Sequence, residues 1–213
     1  MTKYRKLIRS AIIIKLLSLF GVTIMLESCS TTRPHQIHNT CAIYEQYPEW
    51  HWHTKKTQHK WGVPENVQMA IIYHESQFIA EARPPRKTLF GVIPWKRQST
   101  AHGYAQALNQ TWEEYQDSTG NNAGKRNRFV DAVDFIGWFA KQAHIKAKIP
   151  YNDAYRMYLA YHEGIGGYLN KSYLKKPWLI KVAKNVQKRA NIYKSQLSVC
   201  SAKLPPPPFS SGF

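Results

Sequence analysis

Carboxylates are scarce in this chain. Thirteen Asp and Glu stand against 30 Lys and Arg, a formal net charge of +17. Chemistry that needs a pair of acids therefore has few places to find them. Cysteine is scarcer still, with Cys29, Cys41 and Cys200 alone. His51-Trp52-His53 and His59 sit in a polar stretch with no Cys and no third spaced ligand set, so they read as solvated side chains, and neither a metal nor another cofactor is expected. No segment alternates apolar and polar residues as a half-buried strand would, which argues against an all-β fold. No internal repeat is present. The one long apolar run, Ala11 to Leu26, is broken by Lys15 and falls short of the roughly 20 residues a membrane-spanning helix needs.

That run has a different use. Lys3, Arg5, Lys6 and Arg9 precede it, and a positive start followed by a short apolar core reads as a signal peptide over residues 1–28. The run ends in Leu26-Glu27-Ser28-Cys29, which resembles the bacterial lipobox although Glu27 departs from it. The expectation is lipidation of Cys29; the alternatives are cleavage elsewhere or an uncleaved anchor. Lipid on Cys29 would leave an even pair, Cys41 and Cys200. In an oxidising periplasm these two could staple the ends of one domain, worth on the order of 4–5 kcal/mol in the chain-entropy picture. Two free buried thiols are the alternative. The chain is thus expected in the periplasm as a membrane-anchored lipoprotein. Ser30, rather than Asp, after Cys29 leans toward the outer membrane by the sorting pattern of such proteins.

Behind the leader, residues 29–40 read as a polar tether and 201–213, with four consecutive prolines, as a tail outside the core. Residues 41–200 read as one mainly α domain. The spacing predicts a helix from Tyr44 to Trp61, ended by Gly62-Val63-Pro64, and a second after Pro64 with Val67, Ala70, Ile71 and Phe78 on its apolar side. Ala82 to Ala101 reads as irregular and basic. Further helices are expected over Gly103–Gln116, over Arg126–Lys148, after a cap at Asn152 or Asp153, and from Trp178 to Leu197.

Among the few acids one stands apart. Glu65 opens a helix, where the dipole favours its charge. Glu113 and Glu114 lie in a polar stretch, Asp117 and Asp153 read as turn or cap residues, and Asp131 and Asp134 share a helix with basic residues. Glu75 follows Ile71 by four and precedes Phe78 by three, so it lies beside the apolar stripe near its helix C-terminus. Desolvation and the dipole both raise a carboxyl pKa there, as a general acid requires. A buried structural pair with Arg83 or Arg86 is the other reading of the same pattern.

Three segments then carry a resemblance. Glu75-Ser76-Gln77-Phe78, Gly103-Tyr104-Ala105-Gln106-Ala107-Leu108 and Ala160-Tyr161-His162-Glu163-Gly164 resemble, in order, the Glu-Ser, Gly-Leu-Met-Gln-Leu and Ala-Tyr-Asn-Ala-Gly motifs of the lytic transglycosylases with a lysozyme-like fold. Tyr104 and Ala105, and His162 and Glu163, are departures from that pattern. The resemblance implies a single lysozyme-like domain that cleaves peptidoglycan glycan strands between N-acetylmuramic acid and N-acetylglucosamine, leaving 1,6-anhydro ends. It implies that Glu75 is the acid, that Gln106 touches an N-acetyl group, and that Tyr161 steadies Glu75 or the oxocarbenium-like centre. It places Tyr104 and Glu163 at the cleft, with Ser76 beside the acid as a support of helix and cleft, and Ser99 or Thr100 is a candidate for the cleft hydroxyl that often precedes the second motif.

Such a reaction uses the substrate's own hydroxyl and needs one carboxylate, whereas ordinary glycosidases need two. Glu163 is the residue that bears on this choice: a second carboxylate that positions water, or a structural pair with a nearby Lys or Arg. The basic balance itself attracts polyanions, whether wall, anionic lipid or nucleic acid, or serves solubility. The export signal argues against nucleic acid. Expected partners are glycan strands and, through the lipid anchor, a membrane; the chain is expected to be monomeric. A hydrolysing muramidase and a non-catalytic wall-binding lipoprotein are the alternatives.

Overall fold

The computed structural model describes residues 32–89 and 93–206. The signal peptide, the lipobox with Cys29 and the end of the proline-rich tail lie outside the described residues.

Seven α-helices make up the described chain: α1 (Thr40–Gln46), α2 (Pro48–Trp61), α3 (Glu65–Ser76), α4 (Asn109–Thr119), α5 (Phe129–Ala147), α6 (Ala154–Leu169) and α7 (Pro177–Cys200). Between α3 and α4 lies a two-stranded antiparallel hairpin, β1 (Arg86–Leu89) and β2 (Ile93–Arg97). The hairpin is a departure from the irregular segment expected there: strand pairing rests on backbone hydrogen bonds and needs no amphipathic alternation in the sequence. The single helix expected from Tyr44 to Trp61 is two helices, because Pro48 lacks the N–H that would continue α1 and instead opens α2 at its first turn.

The core is built around α3. Val67, Met69, Ala70, Ile71 and Ile72 are all fully buried, so this helix is enclosed on most sides. It packs mainly on α7 and also touches α2, α5 and α6. The second contact axis is α2 on α5. There the ring of Trp50 stacks on Phe129 at 3.9 Å, with the edge of Tyr104 at 5.5 Å.

Both ends of the domain are tied to α7. Cys41 and Cys200 form a disulfide with Cα atoms 6.0 Å apart, and the Tyr193 hydroxyl donates to the Ile37 carbonyl. The stretch expected to be a free tether is docked from Thr32 onward: Ile37 is buried, and Arg33 donates to the Gln77 carbonyl (3.0 Å) and side-chain oxygen (2.7 Å). The start of the expected tail packs as well. Leu204 is buried and the Pro205 carbonyl accepts from Trp52 Nε1 at 3.0 Å. A four-proline run cannot make a helix, but its flank can still cover apolar surface. No helix among the described residues is long and apolar enough to cross a membrane.

Candidate active site

Helix α3 ends at Ser76, one residue after Glu75. Gln77 and Phe78 both take positive φ, 50° and 63°, a conformation that costs a residue with a side chain roughly 1–2 kcal/mol. Complete burial of Phe78 against Trp50 offsets that cost. Glu75 is thereby fixed in the last turn, at the negative end of the helix dipole. The residue is partly buried, and protein crowds its carboxyl group closely enough that desolvation pushes the pKa to about 7. One hydrogen bond, from the Tyr158 hydroxyl, works in the opposite direction. Neither Arg83 nor Arg86 pairs with it; the structural-pair reading of Glu75 is not what the fold builds.

A cleft of about 420 Å³ opens beside this carboxyl group, within the ~300–1,000 Å³ usual for ligand sites. Gln106 and Tyr161 line it, with an apolar wall of Phe135, Trp138 and Phe139 from α5. Glu75 itself is not in the cleft wall; it sits behind, near enough that its charge, after desolvation, raises the pKa of Tyr161. Gln106, Ala107 and Leu108 of the second motif also line the cleft. Gly103 is obligatory: its φ is +80°, and a Cβ there would lie 1.9 Å from the Arg126 carbonyl oxygen. Gln106, also at positive φ (49°), donates both amide hydrogens to backbone carbonyls, Ala82 and Gly103, each at 2.8 Å. Its carbonyl oxygen is the group left to face a ligand.

Several expected residues are placed differently. Tyr104 is wholly buried against Trp50 and Phe129, so it supports the wall from behind and cannot touch a sugar. Ser76 is buried, and its hydroxyl donates to the Ile72 carbonyl within the helix at 3.3 Å. The Tyr161 hydroxyl donates to the Ala105 carbonyl at 2.5 Å, which ties the second motif to the third; the tyrosine bonded to Glu75 is Tyr158. Ser99 and Thr100 accept from the backbone N–H groups of Ala101 and Asn109, and they lie outside the cleft.

Glu163 reaches the cleft edge, but its side chain is only 3 % exposed. Lys176 donates to it at 2.7 Å, Ser172 donates to the other oxygen, and His162 lies at 3.0 Å. The Lys176 ammonium, then the Ser172 hydroxyl, hold its pKa down to about 2. Glu163, one residue before the kink at Gly164 (φ +73°, ψ 157°), thus ties α6 to the 3-10 turn Ser172–Lys175 and to Lys176 just after it, as the structural-pair reading expects.

The sequence reading missed three features. Tyr158 lies three residues before Tyr161 on α6, a spacing that puts both rings on one face; that spacing was the available signal. Glu114, read as a surface residue, lines the cleft, as does Lys146. Glu65 was expected to be a favoured anion at a helix start, yet desolvation raises its pKa against hydrogen bonds from Thr54 and Tyr44. Beside it His51, expected to be solvated, is 3 % exposed with its pKa pushed down to about 4 by burial. The 3.6 Å approach of His51 to Glu65 therefore joins a neutral ring to the carboxyl group and is no ion pair. These residues line a separate cavity of about 650 Å³ between α2 and the C-terminal segment.

The site thus holds one acid poised to titrate near neutrality, beside a cleft with an apolar wall and an amide acceptor. No curated protein matches the chain. The profile of the transglycosylase SLT domain matches residues 17–200. The chain belongs to the transglycosylase SLT domain family.

Proposed function

We propose that this protein is a peptidoglycan lytic transglycosylase that cleaves between N-acetylmuramic acid and N-acetylglucosamine and leaves 1,6-anhydro-muramic ends. The family supports a peptidoglycan transglycosylase acting on glycan strands. The observation that supports the finer reading is a carboxyl group with a pKa near 7 behind the cleft wall, while the other motif carboxylate, Glu163, is held as an anion by Lys176 and Ser172.

In the proposed reaction Glu75, protonated, gives its proton to the glycosidic oxygen as the muramic C1–O bond breaks. The 6-hydroxyl of the same muramic residue bonds to C1, and its proton passes to the Glu75 carboxylate. The acid is regenerated and no water is consumed. Gln106, with both N–H groups held by backbone, offers its carbonyl oxygen to the N–H of an N-acetyl group. Tyr158 holds the carboxylate form between the two proton transfers.

One observation favours hydrolysis as a second reading: Glu114 gives the cleft another carboxylate, which could activate water. Mass analysis of products from purified glycan strands decides between them. Anhydro ends are expected; reducing ends would overturn the transglycosylase reading. The leader and Cys29 place the enzyme, in this proposal, in the periplasm on a lipid anchor, with the outer membrane favoured. Labelled-lipid incorporation that survives Cys29→Ala would overturn that part.

A further inference from the structure

Outside the cleft, positive charge is concentrated around the β1–β2 hairpin. Arg86 and Arg97 are direct partners across the β1–β2 hairpin, and like charges opposite one another weaken a strand pair. Arg83 precedes the hairpin, and its charge lowers the pKa of Arg126, after desolvation. Arg83, Arg97 and Arg126 line one pocket of about 490 Å³ together with Ser99, Thr100 and Asn109. Among the described residues no ion pair joins any of these three arginines to a carboxylate.

The pocket is rich in donors. The Ser99 and Thr100 oxygens accept from backbone N–H groups, which leaves their hydroxyl hydrogens to be given away. Arg126 uses one nitrogen on the Thr100 and Ala107 carbonyls (3.0 and 2.9 Å), and its guanidinium has further donors. Arg97 is fixed by a bond to the Pro84 carbonyl. Anchored guanidinium forks with adjacent hydroxyls match a carboxylate bidentately. Two hydrogen bonds link the pocket to the cleft residues. Ala107, which holds Arg126, lines the cleft, and Gln106 donates to the carbonyl of Ala82, next to Arg83.

We propose that this arginine pocket is a second substrate site, which takes a carboxylate of the peptide stems carried by the glycan strand. The idea rests on the proposed function, since it assigns the site a part of that same substrate. It makes the enzyme selective for strands that still bear their stems.

The test compares stem-bearing glycan strands with strands stripped of peptide by an amidase. For Arg83→Gln/Arg97→Gln, KM on stem-bearing strands is expected to rise about tenfold with kcat within about twofold, the loss of charge-assisted bonds. On stripped strands KM should move less than about twofold, and Arg83→Lys/Arg97→Lys should recover part of the loss. Equal changes on both substrates, or none on stem-bearing strands, would overturn the proposal. Calorimetry of a free acidic stem peptide with Glu75→Gln protein separates this idea from the catalytic one. Binding that the double substitution abolishes supports the pocket even if the wild-type enzyme releases no product, and no binding, or binding unchanged by the substitution, refutes it.

Discussion

Helix α3 carries a partly buried glutamate at each end, and the two differ in what surrounds them. Glu65 stands at the N-terminus, where the dipole favours an anion. Thr54 donates to it at 3.1 Å, Tyr44 hydrogen-bonds to it, and Lys55 adds a favourable charge. Glu75 stands at the C-terminus, where the dipole opposes an anion, with Tyr158 as the single hydrogen-bond donor that lowers its pKa. Burial raises both. Only Glu75 is left with little compensation, and its pKa reaches about 7. Desolvation alone therefore does not make a general acid; desolvation without compensation does.

The largest break in that comparison is activity. Glu75→Gln removes the proton that the leaving oxygen needs, and kcat is expected to fall on the order of 10³-fold. Glu65→Gln should leave kcat within about threefold. Muropeptide release from purified sacculi measures both, and equal losses would mean that the helix ends had been assigned the wrong way round.

Stability comes next. Glu75 has a folded pKa near 7 against an unfolded value of 4.5, so the folded state binds more protons between them. Its contribution is greatest below pH 4.5 and is lost as pH rises through 7, up to about 3 kcal/mol for a shift of this size. Glu75→Gln has no such charge to bury. It should therefore be more stable than wild type at pH 8 by as much as about 3 kcal/mol, with a much smaller gap at pH 4.5. Urea unfolding at the two pH values checks the sign. An enzyme that gains stability as it loses activity would show that α3 carries functional strain.

Much of this arrangement was legible in the residues. The spacing of Ile71, Ile72, Glu75 and Phe78 places one acid on the buried side of a helix end, and the helix boundaries follow from Gly62, Pro64, Asp153 and the apolar repeat of α5. Tyr104 was misplaced because a motif gives the neighbourhood of a cleft, not the face to which each side chain points. Glu65 was misjudged for a related reason. The dipole is a local property of the sequence, whereas its desolvation comes from Tyr44 and His51 in other helices. The hairpin escaped because its pairing rests on backbone bonds rather than on a hydrophobic period.

Glu163 offers a smaller contrast, a carboxylate stabilised as fully as Glu75 is deprived. Lys176 and Ser172 hold its pKa near 2, against 4.5 unfolded. Its stabilising effect is thus present above pH 4.5 and fades as pH falls toward 2. Glu163→Gln should lower stability by about 1–2 kcal/mol at pH 7, read from urea unfolding. Product ends should be unchanged by mass analysis. A switch from one kind of end to the other would make Glu163 part of the chemistry and not a staple.

The finest test lies in the one bond that Glu75 does receive. Tyr158 favours the charged carboxylate, as Thr54 does for Glu65 at the other end of α3. Tyr158→Phe removes that bond and leaves the ring in place, so Glu75 should titrate higher still. The acid step needs the protonated form. The wild-type profile of kcat/KM should therefore fall as pH rises through about 7, and in Tyr158→Phe the falling limb should move to higher pH. The return of the proton from the 6-hydroxyl needs the carboxylate, which the variant stabilises less well, so kcat should fall modestly at low pH even as the limb shifts. A profile displaced to lower pH would mean that Tyr158 bonds to the neutral acid instead, and the account of Glu75 as an acid kept protonated by lack of compensation would fail.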